Sequence, residues 1–331
     1  MLGGGNFTFS ANGTFVYLAG TEQQSRTISW VERSGRKQSL HATPGVYFTP
    51  RFSPDGKRLA FAVGSGNGSN LWVKDLDRDA PLRLSFLDGE NRWPVWTPDS
   101  KNIVFKSVGS KPGLYWIRAD GAGEVQRLTD GKLDESPYSI SPDGKRLAFR
   151  QVGNGGSQDI FTSAIEGDPA HPKLGKPDLF LGTPFLEVEP AFSPDGRWLA
   201  YVSMESGQVE VYVRPFRGPG SRWQISSGGG FYPVWSRDGH ELLYQSLDNR
   251  VMAVSYTAKG DAFTPRNAAA WPEAHVMYLG GASAMWDLAP DGKRLMMILP
   301  QGDENQKLPT HLTFLLNFFD ELQRRGTGQG K

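Results

Sequence analysis

One stretch of eleven residues recurs along this chain, and it limits the possible folds more than any other feature. At residues 52–62 it reads FSPDGKRLAFA. Aligned on its aspartate, it appears at Asn12 (FSANGTFVYLA), Asp55, Asp99 (WTPDSKNIVFK), Asp143 (ISPDGKRLAFR), Asp195 (FSPDGRWLAYV), Asp238 (WSRDGHELLYQ) and Asp291 (LAPDGKRLMMI). The intervals are 43, 44, 44, 52, 43 and 53 residues. A period in the forties built from short strands is the signature of a propeller, with one four-stranded sheet per repeat.

The residue types explain why. Large apolar groups stand three residues before the aspartate and four and six after it, the last two alternating on one face of a strand. A small residue often lies between those two (Ala60, Ala148, Ala200), as suits a strand packed on both faces between neighbouring blades. Ser-Pro-Asp-Gly supplies the turn: proline presets φ, aspartate bonds the local backbone, and glycine takes the left-handed position. Each copy therefore reads as an inner hairpin. Seven copies predict an all-β chain folded as a seven-bladed β-propeller of four-stranded antiparallel blades, with six blades as the alternative.

Composition narrows the function. Basic and acidic residues number 36 and 35 and are scattered, so no basic patch points to nucleic acid or an anionic membrane surface. Cysteine is absent, which removes disulfides, thiol nucleophiles and thiolate metal sites. No apolar run reaches membrane-spanning length, and MLGGGNFTFS has no signal-peptide pattern and reads as the cut edge of a longer protein. The expected organisation is residues 1–6 as linker, 7–317 as one propeller domain, and 318–331 as a short helix and frayed tail. HLTFLLN (311–317) reads as a third strand of the last blade, and FFDELQRR (318–325) as the helix capped by Asn317.

The copies FSPDGKRLAF, ISPDGKRLAF and FSPDGRWLAY, each followed by a strand such as LWVKDLD and a short RLT-like strand, resemble the bacterial TolB-type, WD40-like propeller repeat. That repeat also occurs in prolyl-oligopeptidase-like peptidases and in the extracytoplasmic propellers of bacterial serine/threonine kinases. The ending LTFLLNFFDELQRR, with TFVYLAG and ISWVERSGR, is most similar to the kinase-linked group. The resemblance implies a recognition or sensor propeller, extracytoplasmic and part of a larger bacterial envelope or kinase protein. The alternative is the gating propeller of a peptidase that lacks its hydrolase domain. TolB usually has six blades, whereas each copy here carries its own hairpin, which favours seven.

No residue pattern indicates catalysis. The aspartates sit in hairpin turns, no G-x-S-x-G elbow is present, the five histidines occupy unrelated places, and DLDRD (75–79) lacks the other ligands of a calcium loop. The reading is therefore no enzyme, no metal and no cofactor, in a monomer that binds a protein or peptide partner or a small ligand in its central channel. The segments leading into the inner strands differ between blades. They place Tyr47, Arg92, Trp93, Glu135, Glu189, Tyr232 and Met285 around one mouth of the channel, where aromatic and charged groups together suit an anchor for a partner. Arg92 and Glu189 are expected to be solvent-accessible there.

Overall fold

The computed structural model describes residues 7–10, 14–18, 25–66, 68–78, 80–153, 155–217, 220–276, 284–300, 312–315, 318–319 and 324. It divides into two compact units, Arg26–Leu299 and a second made of Met1–Ser25 with Pro300–Lys331.

The repeated turn closes as its chemistry requires. The Ser53 hydroxyl donates to Asp55 Oδ1 at 2.6 Å, and the same oxygen accepts the Lys57 amide at 3.0 Å. The pattern repeats at Thr97/Asp99/Lys101, Ser141/Asp143/Lys145, Ser193/Asp195/Arg197 and Ser236/Asp238/His240. The glycine that follows adopts a left-handed backbone, with φ of 73° at both Gly56 and Gly144. Phe52, Phe61, Trp96, Phe149, Phe192 and Trp235 are all buried, as the apolar columns predict.

Within Arg26–Leu299 these hairpins build six sheets, each with an inner strand, a return strand and an outer pair, the first two bridged by a parallel pairing of Ser69 with Glu90. The first contains Tyr47–Phe52, Arg58–Ser65, Gly68–Asp75 and Leu82–Arg83; the second Glu90–Trp96, Asn102–Val108, Gly113–Arg118 and Gln126–Arg127. The third contains Asp134–Ile140, Arg146–Val152, Gln158–Glu166 and Asp178–Leu181; the fourth Glu187–Phe192, Trp198–Ser203, Glu210–Pro215 and Trp223–Gln224. The fifth is Phe231–Trp235, Glu241–Gln245, Arg250–Lys259 and Ala269–His275, with Ala262–Pro265 extending the long third strand. The sixth joins Trp286–Leu288 and Arg294–Pro300 to Arg26–Glu32 and Lys37–Gly45, from the other end of the unit.

That sixth sheet is not built as the count of seven expected. Arg26–Glu32 pairs with Lys37–Gly45 on one side and with Arg294–Pro300 on the other, not with the hairpin of the first motif copy. The first hairpin, Phe7–Phe9 with Phe15–Leu18, is left without its outer pair and belongs to the other unit. There it takes Leu312–Leu315 as a third strand, antiparallel to Phe15–Leu18. Leu312–Leu315 is thus not a strand of the last blade. Phe318, Phe319 and Arg324 are helical. Asn12, Asn317 and the rest of the expected C-terminal helix lie outside the described residues.

The core lies between successive sheets. Ala60 of the first packs with Ile103 and Phe105 of the second, Ala148 of the third with Leu199 and Tyr201 of the fourth, and Ala200 of the fourth with Trp235 of the fifth. A small residue at this position lets the aromatic groups of the next sheet approach.

Candidate functional site

The inner strands carry a device not visible in the motif itself. Four of them break register with their return strand at an X-Pro pair, and X has a left-handed backbone: φ is 45° at Thr49, 58° at Trp93, 59° at Glu189 and 53° at Tyr232. A third-sheet slip falls beside Pro137. Proline has no N–H to give the ladder, and a bulge there re-aims the preceding side chain. Such a backbone is costly for a bulky residue and persists only where its surroundings hold it.

Those surroundings are the neighbouring blades. The Tyr232 amide donates to Glu189 Oε2 at 2.6 Å, and the Trp93 amide to Thr49 Oγ1 at 3.3 Å, so one bulge caps the next. The side chain four residues before the aspartate makes the same relation in two copies. The Phe52 amide donates to Asp287 Oδ2 at 2.7 Å, and the Phe192 amide to Ser139 Oγ at 3.1 Å. Where the following residue is tryptophan, its indole N–H reaches the carbonyl of the preceding blade: Trp96 to Arg51 O at 3.0 Å, and Trp235 to Ala191 O at 2.9 Å.

Between the inner strands lies a cavity of about 380 Å³, walled by residues of all six sheets. Two columns of the repeat recur among its lining residues. One is the residue four before the aspartate (Arg51, Val95, Ser139, Ala191, Val234, Asp287); the other is the turn proline just before it, with Arg237 standing where other copies have proline. A smaller void of about 20 Å³ lies next to Thr49, Trp93 and Ala284 and shares Arg51, Tyr138 and Tyr232 with the first. The larger space therefore belongs to the turn end of the channel, not to the end where the inner strands begin.

The seven residues singled out in the sequence do not form one ring. Glu189 and Tyr232 line the cavity, and Trp93 lines the small void with its ring beneath Lys106 Nζ at 5.3 Å. Tyr47 is core: its hydroxyl donates to Thr43 O at 2.7 Å and its ring meets Phe61 edge-on. Met285 is core as well, at 1% exposure. Arg92 lies over the Phe48 ring at 3.8 Å and donates to Ser69 Oγ of the adjacent sheet, and burial holds its guanidinium below the usual range. Glu135 is buried with Oε2 unpartnered, and burial pushes its carboxyl up. Arg92 and Glu189 are thus not the solvent-accessible charges expected, because Arg92 packs on the preceding sheet and Glu189 on the following one.

Sequence reasoning missed Arg51, Tyr138, Arg237 and Asp287. A signal was present: strand alternation turns the residue before each core aromatic away from the core, and that column holds charges only at Arg51 and Asp287. Burial raises the Asp287 carboxyl, opposed chiefly by Arg51, and pushes Glu189 up to about 7. Among the described residues no group of three or more histidines and carboxylates is placed to hold a metal ion.

The TolB beta propeller domain family matches residues 7–172. An uncharacterised protein of Agrobacterium fabrum is 26% identical over 221 residues, covering 63% of this chain and 61% of its own length. A Tol-Pal system protein TolB of Francisella tularensis is 24% identical over 212 residues, covering 49% and 48%. The chain thus spans about half to three-fifths of the curated relatives it matches. A TolB structure from Agrobacterium tumefaciens superposes with a TM-score of 0.64 at 19% identity, covering 84% of this chain and 99% of that one, a likeness of fold.

Proposed function

Because this chain belongs to the TolB beta propeller domain family, we propose that it is a non-enzymatic recognition propeller that docks a protein partner at the end where the inner strands begin. One observation carries this reading. Phe86, Leu133, Phe185 and Leu247 lie in the loops of that end and are 72%, 39%, 47% and 51% exposed, whereas the opposite end repeats nearly the same turn. Exposed apolar side chains gathered on one face suit a protein interface, and loops that differ from blade to blade supply the specificity.

A relative named as a Tol-Pal system protein favours a protein partner and an extracytoplasmic setting. The C-terminal segment's similarity to kinase-linked propellers makes a sensor role within a longer protein the specific form of this reading. Site-specific photo-crosslinking from Phe86 and Phe185, in cells making the full-length protein, is expected to yield discrete adducts, with none from Lys57 or Lys145 at the turn end. Adducts from the turn end alone would overturn it. Labelling of the folded chain by a serine-reactive fluorophosphonate would favour the peptidase reading instead.

A further inference from the structure

A partner at the strand-start end leaves the larger cavity, at the turn end, unused. Its walls are apolar, made of proline rings with Phe192 and Trp235, and its polar groups are uneven in kind. The two carboxylates are already engaged by main-chain N–H groups, Asp287 by Phe52 and Glu189 by Tyr232. The donors are not all engaged. Arg51 spends one Nη on the carbonyls of Pro50 and Trp286, at 3.0 and 3.3 Å, and makes no ion pair among the described residues. Arg237 donates one Nη to Ser53 O at 2.9 Å and is otherwise open at the rim. The Tyr138 hydroxyl is buried and has no hydrogen-bond partner among the described residues.

A buried hydroxyl without a partner is costly, and guanidinium N–H groups in a fixed fork match a carboxylate. We propose that this cavity binds a carboxylate on an apolar stem, the carboxylate meeting Arg51 and Tyr138 in the channel and the stem lying along the prolines and Trp235. Its volume lies in the range of small-molecule sites. Two sources share this chemistry, a free organic acid and the C-terminus of a peptide.

Glu189 makes the binding sensitive to pH. It is faced by Arg51, Arg150 and Tyr138 and by the Tyr232 amide, with Asp287 and Arg237 elsewhere on the cavity wall. A ligand carboxylate disfavours the charged form of Glu189, so binding takes up a proton. Affinity is then highest below the Glu189 pKa and falls by up to about tenfold per pH unit above it.

Calorimetric titration of the whole chain with 4-phenylbutyrate, 4-phenylbutylamine, acetyl-Ala-Phe and acetyl-Ala-Phe-amide tests the proposal. Both acids are expected to bind at about pH 6 and up to about tenfold more weakly at about pH 8, with the amine and amide weaker than either acid at the lower pH. A tighter dipeptide identifies a chain terminus as the source, and a tighter phenylbutyrate a free acid. Tyr138→Phe removes a hydroxyl that no described residue uses, so it folds, and it should weaken both acids by about tenfold or more. Glu189→Gln should retain binding and lose the pH dependence. No acid binding up to about 10 mM, amide or amine binding as tight as the acids, or an unchanged affinity in Tyr138→Phe would each overturn the proposal.

Discussion

Glu189 combines three properties that single residues seldom share: a left-handed backbone, 5% exposure and a carboxyl raised to about 7 by burial. An acid whose folded pKa exceeds its unfolded value stabilises the fold fully below the unfolded pKa, and that stability is lost as pH rises through the folded one. Wild-type protein should therefore lose about 3 kcal/mol between about pH 4.5 and 7.5 relative to Glu189→Gln, whose amide oxygen still accepts the Tyr232 N–H. Denaturant midpoints of the two proteins across that range check this, and parallel profiles would show that Glu189 does not titrate there. Nothing in the triplet Val-Glu-Pro announces this state. A proline fixes its own φ and biases its neighbour toward extended backbone, so the left-handed bulge at Glu189 comes from the neighbouring blade and is invisible locally.

At the level of the hairpin, core and turn divide the energy unequally. Phe149 is 1% exposed between two sheets, and Phe149→Ala should cost about 3 to 5 kcal/mol as an aromatic cavity. Asp143 lies at the surface, its carboxyl held below the usual range by the Ser141 hydroxyl and the Lys145 amide. Asp143→Ala should cost about 1 kcal/mol, one local hydrogen-bonded turn. Urea titrations compare the two, and equal losses would contradict a purely local role for the aspartate. The hairpins were fully legible because strand alternation and turn chemistry act over a few residues. Half of the candidate site was legible for the same reason, had the column containing Arg51 and Asp287 been followed. The placement of Tyr47 and Met285 was not, since which face of a lead-in segment meets the core depends on the neighbouring sheet.

At the scale of the whole Arg26–Leu299 unit, the sixth sheet decides the architecture. Its inner pair comes from one end of the unit and its outer pair from the other, and no local pattern distinguishes Arg26–Glu32 as partner of Arg294–Pro300 from Arg26–Glu32 as continuation of the first hairpin. Periodicity finds hairpins, whereas a sheet is defined by pairing, and here the first hairpin pairs with Leu312–Leu315 rather than with Arg26–Glu32. Deleting residues 1–45 should leave Arg294–Pro300 as an open edge and Trp286 without Ile28 and Trp30 in its cluster. The expected outcome is loss of near-ultraviolet dichroism and aggregation on size exclusion; a folded, cooperative fragment would show that closure is dispensable. The same sheet also imposes an order in time. Arg26–Glu32 leaves the ribosome about 260 residues before the strand it must pair with, a wait of roughly 13 to 50 s at ordinary rates of synthesis. The nascent chain carries an unpaired β-edge throughout that wait, so this sheet closes only after Arg294–Pro300 has been made.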